Sequence, residues 1–155
     1  NLLDLGCGDG QFLFWAANYP FSSLIGVDIS PVACKMAREY TKTDRSRITV
    51  FCTSMEDPRN ETGVKIARGA FDYVISLGSL EHSLDIPAAV RTIHQSLRRG
   101  GRFLIYVPNE LWIHEDQPLE TTMTGNQWTQ ILTAAGLKVE AVVQMNDNNQ
   151  IVGWK

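Results

Sequence analysis

Asp4-Leu5-Gly6-Cys7-Gly8-Asp9-Gly10 is the stretch from which the rest of the chain can be read. Residues 1–5 form an apolar run that reads as a buried strand, and residues 10–19 read as the helix that follows. Glycines at such a junction permit positive φ and let a ligand come close to the backbone. In open α/β sheets ligands bind beyond the carboxyl ends of the strands, where the strand order reverses.

Three loops of this kind must be told apart. A phosphate loop needs GxxxxGK followed by Ser or Thr, and the chain has no such lysine here. The nicotinamide-dinucleotide fingerprint GxGxxG needs glycine at position 11, which is Gln11. What stands is GxGxG with an acid two residues before the first glycine. Asp4 would repel a pyrophosphate and attract a ligand carrying an ammonium and a sulfonium. At about 4 Å in a partly buried site that interaction is on the order of a few kcal/mol. A carboxylate at this place also suits the capping of nearby backbone N–H groups.

Outward from the loop, the second strand ends in Gly26-Val27-Asp28-Ile29-Ser30. Asp28 lies 18 residues past Gly10. A carboxylate there can accept hydrogen bonds from both ribose hydroxyls of a nucleoside. It equally suits a helix N-terminus, where negative charge complements the dipole. Ile29 offers an apolar face for adenine.

Strands are expected at 1–5, 24–28, 48–52, 71–77, 101–107, 138–145 and 150–154, and helices at 10–19, 30–43, 85–99 and 125–135, with 58–68 undecided. Alternating strand and helix means parallel pairing with right-handed crossovers. Ser30-Pro31 is an N-cap followed by proline at the first helical position. Ala33, Met36, Ala37 and Tyr40 then share one face. Ile86, Val90, Ile93 and Leu97 keep the helical period, and Gly100-Gly101 is read as the stop. Trp128, Ile131, Leu132 and Ala135 do the same, with Gly136 as the stop. At the end, Asn146-Asp147-Asn148-Asn149 separates two strand patterns and predicts an antiparallel hairpin. The expected class is α/β, a seven-stranded, mostly parallel sheet with helices on both faces and a C-terminal antiparallel hairpin.

Composition bounds the partners. The 155 residues carry 17 acidic and 14 basic side chains, a formal net charge of −3, with 44% hydrophobic and 20% charged residues. That suits one domain with its own core and excludes a disordered tail, a collagen-like fibre or a coiled coil. A slightly acidic chain exerts no broad pull on a phosphate backbone, so no nucleic-acid partner is expected. The longest uncharged stretch, Gly10 to Val27, contains Gln11, Asn18, Pro20, Ser22 and Ser23, so no membrane span is expected. Cys7, Cys34 and Cys52 form no CxxC pair, and reduced thiols in a cytoplasmic protein are expected. Asn60-Glu61-Thr62 matches a glycosylation sequon, against which the cysteine pattern argues. Because the chain opens inside a core strand at Asn1, it reads as a fragment whose upstream segment is missing.

These residues resemble the class I S-adenosylmethionine-dependent methyltransferases over nearly the whole chain. Asp4 to Gly10 is similar to their first motif and Asp28 to the ribose-binding acid. Ser76-Leu77-Gly78-Ser79-Leu80-Glu81-His82 resembles the segment after the fourth strand. Leu97 to Asn109, with Gly100-Gly101 and Pro108-Asn109, resembles the "LkPGGxlxixxPN" stretch, and Trp128 to Leu137 the helix before the sixth strand. The "LEH" and "PN" pairs resemble the branch of ubiquinone-biosynthesis O-methyltransferases and other small-molecule enzymes. The resemblance implies a Rossmann-like fold and S-adenosylmethionine as donor, with S-adenosylhomocysteine as product. It implies that Gly6, Cys7, Gly8 and Gly10 line the methionyl part, with Asp4 near them, and that Asp28 and Ile29 hold the nucleoside. Ser54, Met55 and Glu56 would meet adenine, and Leu77 would offer a carbonyl to the amino group. The chain departs from the pattern at Thr53 and Ser54, where many members have an acid, at Arg98-Arg99, and at Pro118, Leu119 and Glu120, where many have a histidine.

Methyl transfer is an in-line displacement, so the enzyme's work is alignment and exclusion of water. A general base is needed only for a hydroxyl or a protonated amine. His82, beyond the fourth strand, is the candidate catalytic residue, although Glu81-His82 also suits a cap on the next helix. His94 reads as structural. Trp112, His114, Glu115 and Asp116 fall in the segment 108–124, where acceptor specificity is expected. No metal site is expected. A small-molecule methyltransferase is the leading reading. A nicotinamide-dependent oxidoreductase and a donor-binding module that transfers no methyl are the alternatives.

Overall fold

A computed structural model of the chain describes residues 1–42, 47–60, 62–63, 65–66, 68–112 and 121–155. The elements are β1 (Leu2–Leu5), α1 (Gln11–Ala16), β2 (Leu24–Asp28), α2 (Pro31–Tyr40), β3 (Ile48–Cys52), β4 (Phe71–Leu77), a 3₁₀ turn (Leu80–His82), α3 (Ile86–Ser96), β5 (Leu97–Pro108), α4 (Gly125–Ala134), β6 (Lys138–Met145) and β7 (Asn148–Trp154). The seven strands form one sheet in the order β3-β2-β1-β4-β5-β7-β6. β7 runs antiparallel to both β5 and β6, and the other pairings are parallel. From β1 the chain first winds outward through β2 and β3, then returns to β4 on β1's other side. The carboxyl ends of β1 and β4 therefore form the switch point, and both candidate loops leave from it.

Two apolar clusters sandwich the sheet. Leu13, Ala16, Cys34 and Ala37 of α1 and α2 close on Leu2, Leu24, Ile48 and Val50. Val90 and Ile93 of α3, with Trp128 and Leu132 of α4, close on Leu3, Leu5, Val74 and Ile105. Burying such side chains contributes about 1.5–3 kcal/mol each and makes the sheet a rigid platform.

Helix starts follow their sequence signals. Ser30 Oγ accepts the Ala33 N–H at 3.3 Å, and proline opens α2. α4 begins with a capping box in which Thr124 and Gln127 exchange hydrogen bonds. Two expectations need correction. Gly100-Gly101 does not end α3; the helix stops at Ser96, Leu97 turns extended, and the glycines sit in an irregularity of β5, between the pairs Phe71–Leu97 and Tyr73–Arg102. The hairpin turn is also tighter than the four-residue reading, with Asn148 and Asn149 already in β7 and Asn146 at φ 51°. The inner face of α2 is Cys34 and Ala37, whereas Met36 and Tyr40 are exposed. Part of 58–68 and the segment 113–120, with His114, Glu115, Asp116, Pro118, Leu119 and Glu120, lie outside the described residues.

Candidate active site

The glycine loop is shaped by its protein neighbours. Gly6 and Cys7 donate their N–H groups to the Val27 carbonyl, at 2.8 and 3.0 Å, which folds the loop back over β2. Gly6 has φ +78°, and a Cβ there would stand 2.3 Å from Ser79 Oγ. Only glycine lets the β1 loop and the β4 segment meet this closely. Gly10 caps α1 and lies against α2, where a Cβ would be 3.0 Å from that of Ala37. Gly8 has open space where a side chain would project. Cys7 points the other way, into the cluster beneath α1 and α2. Burial first, then Asp4 and Asp28, push its thiol well above the ordinary range.

The two acids divide the labour. Asp28 Oδ2 accepts the Gly8 N–H at 2.9 Å and Oδ1 accepts the Ser30 N–H at 2.8 Å. The backbone-holding role considered for Asp4 thus belongs to Asp28. Each carboxylate oxygen carries two lone pairs, so Asp28 keeps acceptor capacity for hydroxyls. Asp4 is buried on β1 between Gly26 and Ile75. Burial, reinforced by the negative charge of Asp28, raises its carboxyl from 3.8 to about 7.

Opposite the loop, Ser79 Oγ donates to the Leu5 carbonyl at 2.7 Å and lies 2.8 Å from Ser76 Oγ. Glu56 Oε1 accepts from Ser83 Oγ at 2.6 Å and from the Leu84 N–H at 3.2 Å. Thr92 on α3 donates its hydroxyl to the Glu56 carbonyl at 3.1 Å. The segment after β3 is therefore strapped to the segment after β4. Between them lies a cavity of about 340 Å³, walled by Gly6, Asp28, Ile29, Met55, Glu56 and His82, with Ser54, Ser79 and residues 83–85.

Seven of the candidate residues meet in this wall: Gly6, Asp28, Ile29, Ser54, Met55, Glu56 and His82. Asp4, Cys7, Gly8, Gly10 and Leu77 are not part of it. Leu77 is partly buried against the cluster beneath α1 and α2. His94 lies against Gly136, and burial followed by the Lys155 charge lowers its pKa. The sequence assigns no role to Ser79, inside the segment Ser76 to His82, or to Ser83 just beyond it, because single serines carry no periodic signal. Asn109 has a structural use: its amide donates to the Asn146 carbonyl at 3.0 Å and its Oδ1 accepts the Leu111 N–H at 2.8 Å. Trp112 follows directly, its backbone N–H donating to the Asn109 carbonyl at 3.1 Å. Among the described residues no group of three or more His, Cys, Asp or Glu is placed to hold a metal ion.

The cavity suits a nucleoside-bearing donor. Val27, Ile29, Met55 and Leu84 supply apolar surface, and Asp28 supplies a carboxylate. The family model described as a methyltransferase domain matches residues 3–103. The chain belongs to that family and is a class I S-adenosylmethionine-dependent methyltransferase domain. The nicotinamide reading falls with that assignment.

Phosphoethanolamine N-methyltransferase 3 of Arabidopsis thaliana is 30% identical over 107 residues, which are 67% of this chain and 20% of that protein. The ubiquinone biosynthesis O-methyltransferase of Rhodopseudomonas palustris is 29% identical over 119 residues, 72% of this chain and 41% of that protein. The tRNA U34 carboxymethyltransferase of Alteromonas mediterranea is 25% identical over 137 residues, 84% of this chain and 38% of that protein. The chain thus spans from a fifth to two-fifths of the length of these relatives. An S-adenosylmethionine-dependent methyltransferase structure from Mesorhizobium loti superposes with a TM-score of 0.85 at 18% identity, covering 100% of this chain and 90% of that one, and shows the shared fold. No helix among the described residues is long and apolar enough to cross a membrane.

Proposed function

We propose that this domain directs methyl transfer from S-adenosylmethionine to a small-molecule acceptor, leaving S-adenosylhomocysteine. The observation that carries the reading is the single cavity in which Gly6, Asp28, Ile29, Met55, Glu56 and His82 meet. When bound, the donor supplies a methyl group already activated on a sulfonium. The chain's own residues bind, orient and exclude water. Asp28 accepts from ribose hydroxyls with the lone pairs that Gly8 and Ser30 leave open. Ile29 and Met55 pack on the adenine faces. Asp4, ionised once pH passes about 7, places negative charge behind the loop that a cationic ligand favours. If the acceptor is a hydroxyl, His82 takes its proton at an imidazole nitrogen as the bond forms.

The relatives named for phosphoethanolamine and for ubiquinone biosynthesis support a small acceptor, as does the net charge of −3. The relative named for tRNA makes RNA a necessary arm of any acceptor assay. Three free cysteines support a cytoplasmic setting.

Calorimetry with S-adenosylhomocysteine tests the donor half, and no binding by the complete, folded protein overturns it. Turnover is then measured on small hydroxyl and amine acceptors and on unmodified tRNA. With a hydroxyl acceptor, His82→Gln lowers kcat by about a hundredfold and shifts its pH profile, while product affinity stays within about threefold. Donor binding without turnover on any acceptor would replace this reading with a non-transferring module.

A further inference from the structure

Cys34 and Cys52 meet at the edge of the donor cavity. Ile48, Val50 and Cys52 project from one face of β3 by the two-residue period of a strand. That is the face that α2 covers, since Ile48, Val50 and Cys34 share one cluster. Cys52 is paired in register with Asp28, and the Asp28 carbonyl accepts the Cys34 thiol at 3.3 Å. Cys34 Sγ also lies 3.8 Å from the Phe51 carbonyl, and Cys52 Sγ lies 3.8 Å from that of Ile29. Both sulfurs thus sit against the same stretch of backbone, Cys34 Sγ by Asp28 and Phe51 and Cys52 Sγ by Ile29. Cys52 is exposed and Cys34 buried, while Cys7 is buried in the loop after β1.

We propose that Cys34 and Cys52 are an oxidation-responsive pair, closed by a peroxide to an intramolecular disulfide beside the donor cavity. The exposed Cys52 reacts first. Its sulfur takes one peroxide oxygen as the O–O bond breaks, giving a sulfenic acid and water. The Cys34 sulfur then attacks the Cys52 sulfur. The S–S bond forms, the S–O bond breaks, and the departing hydroxide leaves as water with the Cys34 proton. Two thiols are oxidised and one peroxide is reduced. Burial first, then the neighbouring Cys52, pushes Cys34 up to about 12, so it rests as a thiol near neutral pH. The pair therefore stays reduced until Cys52 is activated.

Closure has a consequence for the cavity. A disulfide holds its sulfurs about 2.05 Å apart, closer than two unbonded thiols can stand. The Cys34 thiol gives up its bond to Asp28, and the end of β3 is drawn against α2. Asp28 and Ile29 lie on one side of that seam, and Ser54 and Met55 lie just past the other. This consequence rests on the donor reading of the cavity; the disulfide itself does not.

The test treats the reduced full chain with hydrogen peroxide, then alkylates it unfolded and maps it by mass. The expected product is monomeric, lighter by two hydrogens, with the Cys34 and Cys52 peptides joined and Cys7 alkylated. Dithiothreitol reverses it, and Cys52→Ser never forms it. S-adenosylhomocysteine affinity falls by about tenfold on closure and returns on reduction. Cys34 alkylated after treatment overturns the pair, as does Cys52 found only as a higher acid or joined to another chain. A disulfide with unchanged affinity overturns its link to the cavity. No product binding by the reduced protein sinks the donor reading and leaves the mapped disulfide standing.

Discussion

The two walls of the cavity are built by different means. The loop after β1 is held chiefly by backbone: Gly6 and Cys7 share the Val27 carbonyl, Gly6 fits where a side chain would strike Ser79, and one side chain, Asp28, accepts the Gly8 N–H. The segment after β4 is held by side chains: Ser79 to Leu5, Ser83 and Leu84 to Glu56. Backbone contacts tolerate almost no substitution, because the space itself is the contact. Side-chain straps can be cut one at a time, each at the cost of a hydrogen bond. On the proposed reading of the cavity, the first wall would fix where the donor lies, and the second wall would tune how firmly the cavity closes around it.

Gly6→Ala gives the largest expected effect. Left-handed backbone costs a non-glycine residue roughly 1–2 kcal/mol, and overpacking adds roughly 1–3 kcal/mol. Thermal unfolding should show a clear loss of stability, with product binding lost as well. Gly8→Ala, in the same loop at φ +54° but facing open space, should lose only the backbone part, about 1–2 kcal/mol. Equal losses at the two positions would erase the contrast between a crowded and an open glycine.

Asp4, buried on β1 before the loop of the first wall, sets a pH dependence. Its carboxyl is raised from 3.8 to about 7 in the folded chain, so between those values the folded state holds a proton that the unfolded state has released. Stability from this group is thus highest near pH 4 and falls as pH rises towards 7, by an amount on the order of a few kcal/mol. Melting temperatures followed across that window should fall, and Asp4→Asn should flatten the fall. A slope unchanged by the substitution contradicts the raised carboxyl.

Smaller effects belong to the second wall. Ser83→Ala removes one hydrogen bond to Glu56 and should lose about 1 kcal/mol. Hydrogen exchange at the Leu84 amide, which also bonds Glu56, should quicken in Glu56→Ala and less in Ser83→Ala. Exchange that ignores both substitutions would mean that the strap does not hold the segment.

Much of the fold was legible because its signals are local. The Ser30-Pro31 cap and the Ile86, Val90 and Ile93 stripe of α3 sit where their residue types predict them, and the hairpin turn falls on the first two of the four residues read for it. Gly100-Gly101 misled because the same pair suits a helix stop and a strand irregularity, and the pairing of Leu97 with Phe71 decides between them. Of the proposed site, Asp28 and Gly6 were legible because a motif carries them to the cavity wall. The contacts of Ser79, Ser83 and Glu56 were not, since they join residues distant in sequence through side chains whose partners only the folded sheet brings near. The motif was also silent on direction: Cys7 and Gly10 belong to it yet face α1 and α2.

The central claim is that the cavity between the two walls holds the donor by way of Asp28. Calorimetry of S-adenosylhomocysteine with wild-type protein and with Asp28→Asn tests it most directly. Losing a charged acceptor of hydrogen bonds costs about 1.5–3 kcal/mol, so affinity should fall by roughly ten- to a hundredfold while the substituted protein still melts cooperatively. An affinity equal to wild type in a folded Asp28→Asn protein would contradict the account.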